Sequence, residues 1–489
     1  MHVKRQGRAW YHWYAEDDTP EERKLILKLD ALIIPYAVIA YWIKYIDQSN
    51  INNAYVAGLR EDLNFEGNQL VNLQAMYTVG AVVGQLPFTF LFPMFKMNYI
   101  IPFLEIGWGI FTLLQYRTQG YAELMAYRFL VGLFEAAFFP GVHFVLGAWY
   151  RGDELGRRGG VFYVGQMLGT LTAGLIQSGA TQHLDGVHGL AGWRWMFIIT
   201  ALMTIPVGIA GIFIWPGTPA MPNKLFLSDA ELELASKRLL FSRPPPQEKK
   251  TRPQLVRSIL KDKKIYLLTF WAILFWNAGA TGQGGYLLWL KSLKRFSSAQ
   301  VNQLGSTSPA LGIFYVLFIN FGSDLFLGRT GAIAFAHAWN FTGMVILAIW
   351  NVPEPAKWFA FNVYYFQVAM SSVLYGWAND ILRHNHQERS IIIVVMNLIA
   401  QSTTAWIPLF IFKTVEGPRW LKGWSFTATS SFLLVIYTYV VIRSLSQKLE
   451  RDTAAQSAGS ETESSSVRDV ERTSGKDSQI ATTKPINHE

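Results

Sequence analysis

The chain has 489 residues, of which 51% are apolar, 15% aromatic and only 16% charged, against about a quarter charged in soluble globular proteins. Nearly uncharged stretches such as 193–215, 265–290 and 390–412 recur along it, each long enough to cross about 30 Å of hydrocarbon. A soluble enzyme, a disordered scaffold and a disulfide-built secreted domain are excluded, and with no cysteine there is no thiolate chemistry either.

Residues 1–30 carry six Lys/Arg and six Asp/Glu without an apolar core, so they predict a wet leading segment rather than a cleaved signal. Twelve membrane-spanning helices are expected, over 31–48, 70–93, 99–116, 121–149, 160–180, 193–215, 265–290, 302–322, 330–350, 357–378, 390–412 and 424–442. They are numbered span 1 to span 12 below. The fold class is therefore an all-α membrane protein. Span 4 is too long for one buried crossing, and its end at Trp149 and Tyr150 is expected at the membrane interface. A hydrophilic loop, 216–264, divides two hydrophobic halves, 31–215 and 265–442, and the tail 443–489 has the Ser-rich, charged composition of disorder. Two near-equal six-helix halves joined by a long loop are the plan of repeat-built secondary transporters.

Orientation follows from counting basic residues. Eighteen Lys/Arg fall in the connections on the loop's side and ten in those opposite, which places both termini in the cytosol of a multi-pass protein, taken to be in the plasma membrane. The net charge of +9 is thus a positive-inside pattern and not a nucleic-acid signal.

Charges within the spans mark candidate sites, since a charge at mid-bilayer costs about 2.5–3.5 kcal/mol on insertion scales. Lys44 and Asp47 lie three residues apart in span 1, on one helix face. They suit a cation for an anionic substrate beside a titratable acid, or equally a lysine snorkelling to water. Arg128 and Glu135 in span 4 are seven residues apart, two turns and about 10 Å. Arginine offers a permanent fork for a carboxylate, whereas a glutamate in low dielectric can cycle a proton; a helix-locking ion pair is the structural alternative. Glu105 in span 3 serves packing or transport equally well. Asn277 and Gln283 in span 7 and Asn397 in span 11 supply neutral hydrogen bonds from the second half. The charged turns Glu154 and Arg157, Asp324 and Arg329, and Glu388 and Arg389 are cheap because they are wet, and they form a cytosolic gate if they pair across the halves. Gly80-x-x-x-Gly84 and Gly165-x-x-x-Gly169 predict close helix contacts.

No zinc-protease, Walker or nucleophile-elbow motif occurs, so neither an enzyme nor an ATP-driven pump is expected. The histidines at 183, 188, 384 and 386 lie in connections, and no metal or cofactor is expected beyond a proton gradient.

Several stretches resemble the major facilitator superfamily. They are Asp47-Gln48-Ser49-Asn50-Ile51-Asn52-Asn53-Ala54, Arg128-Phe129-Leu130-Val131-Gly132-Leu133-Phe134-Glu135, Gly192-Trp193-Arg194-Trp195 and Gly322-Ser323-Asp324-Leu325-Phe326-Leu327-Gly328-Arg329. Within it the chain looks like the fungal allantoate-permease branch of anion:cation symporters, most like the pantothenate-transporter type. The resemblance implies a monomeric, proton-coupled importer of a small organic anion by alternating access. Asp47 and Glu135 would be its protonation carboxylates and Arg128 its substrate arginine. Two departures stand out. Gln48 occupies a position where related symporters often carry Arg, so Lys44 is expected to substitute. Phe92-Pro93-Met94-Phe95-Lys96 also degrades the first-half inner signature. An exporter of a metabolite or drug and a non-transporting sensor on the same scaffold remain the alternatives.

Overall fold

The computed structural model describes Tyr14 and residues 18–240, 252–382 and 386–451. The tail with Ser464 to Ser466, and the loop prolines Pro244 to Pro246, lie outside the described residues.

Span 1 starts earlier than its hydropathy suggests. Thr19 caps it, with Glu22 reaching back to the Thr19 backbone in a capping box and Pro20 in the first turn. The helix then runs Pro20–Ala54, 35 residues or about 50 Å, so its charged first turns stand clear of the hydrocarbon. Span 4 is two helices, Tyr121–Glu135 and Phe138–Trp149. The cause is local: Pro140 has no N–H, and its ring excludes the carbonyl four residues back, that of Ala136. The break therefore falls directly behind Glu135. Trp149 and Tyr150 are buried rather than interfacial, because the central loop folds over them and Gly217 accepts the Trp149 indole N–H at 2.8 Å.

Among the described residues, eight helical stretches are long and apolar enough to cross a bilayer by length and composition. The four spans outside that set are 2, 5, 7 and 10, which are polar or interrupted: Gln69–Leu91, Gly152–His183, Lys263–Asn277 with Gly285–Ser292, and Glu354–Val363 with Ser371–Ile381. Within the first half, span 1 packs on span 5, span 2 on span 4 and span 3 on span 6; in the second, span 7 packs on span 11 and span 9 on span 12. The halves meet through spans 2 and 11 and through spans 5 and 8.

The end bearing the termini and the central loop differs from the far end. At the far end one apolar core spans both halves, joining Ile51, Tyr55 and Trp193 to Tyr286, Met344 and Phe361. Toward the terminal end each half has its own core. There the loop helix Asp229–Leu240 is strapped to the first half. Arg238 pairs with Glu154, both 1% exposed in their side chains, and Lys28 pairs with Glu231 at 2.8 Å. Arg151 reaches Asp18 at 3.1 Å, and Arg158 grips Asp30 at 2.6 Å. The Lys28 ammonium holds the Glu231 carboxyl below its ordinary value, so that tie is complete near neutrality and weakens as pH falls through the lowered value. Removing one partner of a buried pair strands the other charge, at a cost of about 3–5 kcal/mol. Arg238→Ala should accordingly lower the melting temperature of the detergent-purified protein, whereas Lys237→Ala, at an exposed pair, should leave it unchanged.

Candidate functional site

Small residues set the site. The glycines of span 2 and span 4 interlock: a Cβ on Gly80 would strike the carbonyl of Phe129, and one on Gly132 the carbonyl of Tyr77. This approach lays Tyr77 against Glu135, and the Tyr77 hydroxyl donates to Glu135 Oε2. Gly165 and Gly169 of span 5 draw in span 1 in the same way, at Val38 and Trp42, which turns the lysine-bearing face of span 1 toward span 4. Lys44 Nζ then lies 3.6 Å from Glu135 Oε2 and 5.3 Å from the Tyr45 ring centroid.

Four charges from spans 1 and 4 thus gather in the first half. Asp47 is fully buried and accepts a hydrogen bond from Thr112 of span 3, within electrostatic reach of Arg128, Glu135 and Lys44. Arg128 is 1% exposed and its guanidinium carbon sits 4.7 Å from the centroid of the Tyr77 ring. Its Nε and Nη1 have no hydrogen-bond partner among the described residues. A buried guanidinium stacked on a ring face, with its Nε and Nη1 unpartnered among the described residues, has the chemistry to take an anion.

This arrangement modifies the pairing expected from sequence. The two pairs, Lys44 with Asp47 and Arg128 with Glu135, belong to one cluster. Glu135 is contacted by Lys44 and Tyr77; Arg128, on the same helix face, is within electrostatic reach but forms no ion pair with it among the described residues. Tyr77 and Thr112 carry no charge to mark them in the sequence, although Tyr77 lies one turn before Gly80 of the span 2 glycine motif.

In the second half, Asn277 donates to Thr403 Oγ1 at 2.7 Å. Asn397 accepts from the Tyr375 hydroxyl at 2.7 Å, which in turn accepts from the Trp276 indole at 2.9 Å. Tyr375 lies within electrostatic reach of Tyr163 of span 5, and Tyr365 of Tyr45 of span 1. Gln283 is elsewhere. It falls in the Thr281–Gln283 turn that interrupts span 7, at the far end, where Asn52 donates to the Gly282 carbonyl at 3.0 Å.

Of the gate expected between Glu154 or Arg157 and Asp324 or Arg329, the two described side chains pair within their own half or with the loop helix packed on it. Glu154 is taken by Arg238, and Arg329 pairs with Asp380 of its own half at 2.5 Å. The side chains of Arg157, Asp324, Glu388 and Arg389 lie outside the described residues. Glu154 is not a wet turn residue either, since the loop helix covers it. Ties across the halves are found instead at the far end: Lys291 with Glu61 at 2.9 Å, Asn302 on the Asn53 carbonyl at 3.4 Å and the Val71 N–H on Thr414 at 3.1 Å. A protein without cysteine permits a direct check. Glu61→Cys with Lys291→Cys, bridged by a reducible bifunctional thiol reagent, should lose transport and regain it on reduction. Transport at the parent rate in the bridged protein would mean that this end does not move.

The chain matches the family model of the Major Facilitator Superfamily over residues 37–408, and it belongs to that superfamily: it is a membrane transporter of small organic substrates and not an enzyme. It is 39% identical over 448 residues to a Vitamin H transporter of Saccharomyces cerevisiae, covering 90% of this chain and 76% of that protein. It is 33% identical over 405 residues to the pantothenate transporter liz1 of Schizosaccharomyces pombe, covering 82% of this chain and 78% of that one. Among solved structures, a D-xylose-proton symporter superposes with a TM-score of 0.64 at 13% identity, over 84% of this chain and 98% of its own; that likeness concerns the fold alone.

Proposed function

We propose that this protein imports a small organic monocarboxylate, driven by the proton gradient, with biotin the first substrate to test and pantothenate the second. The observation that carries the reading is the buried Arg128 guanidinium, whose Nε and Nη1 are unpartnered among the described residues, beside a second cation, Lys44, whose charge is countered by Glu135. The names of the two relatives support the substrate class, since each vitamin presents one carboxylate on a largely neutral body.

The division of labour follows from the geometry. Arg128 binds the substrate carboxylate through its planar guanidinium. Glu135 either neutralises Lys44 or, protonated, frees it to attract the anion, so proton and anion bind together. Asp47 on Thr112 provides a second proton site. Asn277 and Asn397, fixed by Thr403 and Tyr375, meet the uncharged part of the substrate. With the termini in the cytosol, the closed far end makes this the inward-facing conformation, and the protein works as a monomer in the plasma membrane.

The test is uptake of labelled biotin, pantothenate, nicotinate and allantoate by yeast cells lacking their own carriers. Accumulation of one monocarboxylate, competed by its free acid but not by its methyl ester or amide, supports the reading. Uptake of an uncharged analogue at the same rate, or extrusion of a preloaded substrate only, refutes it.

A further inference from the structure

Span 3 carries a polar ladder that the substrate site does not use. Asn98, Glu105 and Thr112 recur every seven residues along Met97–Leu114, about 10 Å apart on one face, and are 4%, 0% and 0% exposed. Thr112 holds Asp47. Glu105 Oε2 accepts from the Tyr36 hydroxyl of span 1 at 2.5 Å, and Asn98 donates to the Ile212 carbonyl of span 6 at 3.3 Å. One acceptor at each rung, namely Asp47 Oδ1, Glu105 Oε1 and Asn98 Oδ1, has no partner among the described residues. The Nε1 atoms of Trp108 and Trp215 are buried beside the ladder in the same state, and the Trp215 ring lies 5.0 Å from that of Tyr36. Span 6 approaches Glu105 with Gly208, and Tyr36 with Gly211; span 4 brings Phe134 and Phe138 to the flanking residues Gly107 and Trp108. Among the described residues, Tyr36 is the titratable group in contact with Glu105.

A carboxyl retained in an apolar helix core, with one oxygen tied to a phenol and the other left open, is costly as packing. Its place on a line from Asp47 toward the terminal end gives it a use. We propose that Glu105 relays the symported proton, taken up at Glu135 and handed on to Asp47, toward that end, through bridging water; this deepens the symport reading above and rests on it. In the transfer, the O–H bond of protonated Asp47 breaks, water passes a proton on, and an O–H bond forms at Glu105 Oε1. Asp47 is left a carboxylate and Glu105 neutral. Release to water past Asn98 returns Glu105 to its carboxylate, which Tyr36 then steadies through its hydrogen bond.

The test uses the full chain in liposomes with an enclosed pH indicator. Glu105→Gln should exchange labelled biotin across the membrane within two-fold of the parent, while substrate-driven proton movement falls at least ten-fold. Glu105→Asp should restore part of that movement with a displaced pH profile, and Tyr36→Phe, which keeps the carboxyl, should displace the profile while leaving exchange intact. Parent-like proton movement in Glu105→Gln overturns the relay. So does loss of exchange and proton movement together in Glu105→Gln with unchanged pH profiles in Glu105→Asp and Tyr36→Phe, which would make Glu105 a packing residue. A parent that accumulates substrate without moving protons overturns the symport reading itself, a distinguishable result.

Discussion

Arg128→Lys should reduce uptake about 100-fold, as severely as Arg128→Ala, although it keeps the charge. That factor corresponds to about 2.7 kcal/mol, within the range for breaking a buried, hydrogen-bonded charge pair. The reason is shape. Arg128 lies over the face of Tyr77 at 4.7 Å, and the Nε and Nη1 of its planar guanidinium have no hydrogen-bond partner among the described residues. An ammonium cannot present two parallel N–H groups to a carboxylate, and it is more strongly hydrated than a guanidinium, so burial penalises it more. Radiotracer uptake measured at several substrate concentrations checks this. A lysine variant that merely raises KM a few-fold would show that Arg128 attracts the anion without gripping it.

Glu135→Gln should separate transport from coupling. The amide imitates the protonated carboxyl, keeps a hydrogen-bond partner for Tyr77, and leaves the Lys44 ammonium free for the substrate. Exchange between equal internal and external pools should stay within about two-fold of the parent. Accumulation driven by an inwardly directed proton gradient should fall to about one, meaning no concentration difference. If this variant still concentrates substrate as the parent does, the proton is carried elsewhere and Asp47 becomes the next residue to replace.

The parts of this account that were legible in the sequence are those with an energetic signature of their own. Arg128, Glu135, Lys44 and Asp47 stand out because a charge within an apolar run is expensive wherever the helix goes. The spans stand out because hydrocarbon thickness fixes their length. Tyr77, Thr112 and Tyr36 carry no such mark: hydroxyls are inexpensive in a helix, and only the neighbour reached through Gly80 and Gly132 gives Tyr77 its meaning. The pairing of Glu135 with Lys44 rather than Arg128 depends on how spans 1 and 4 cross, which helix periodicity along one span does not contain. The terminal-end charges misled for a related reason. Glu154 reads as a wet turn until the loop helix Asp229–Leu240 brings Arg238 over it. The break in span 4 was written in Pro140 all along, but its value lies in ending the helix directly behind Glu135.

The most direct measurement is uptake of labelled biotin into liposomes holding the purified full chain, with a pH difference imposed across the membrane. The account predicts accumulation above the external concentration when the interior is alkaline, abolished by a protonophore and absent in Arg128→Lys. Uptake that proceeds equally with and without the pH difference, for biotin and for pantothenate, would contradict it.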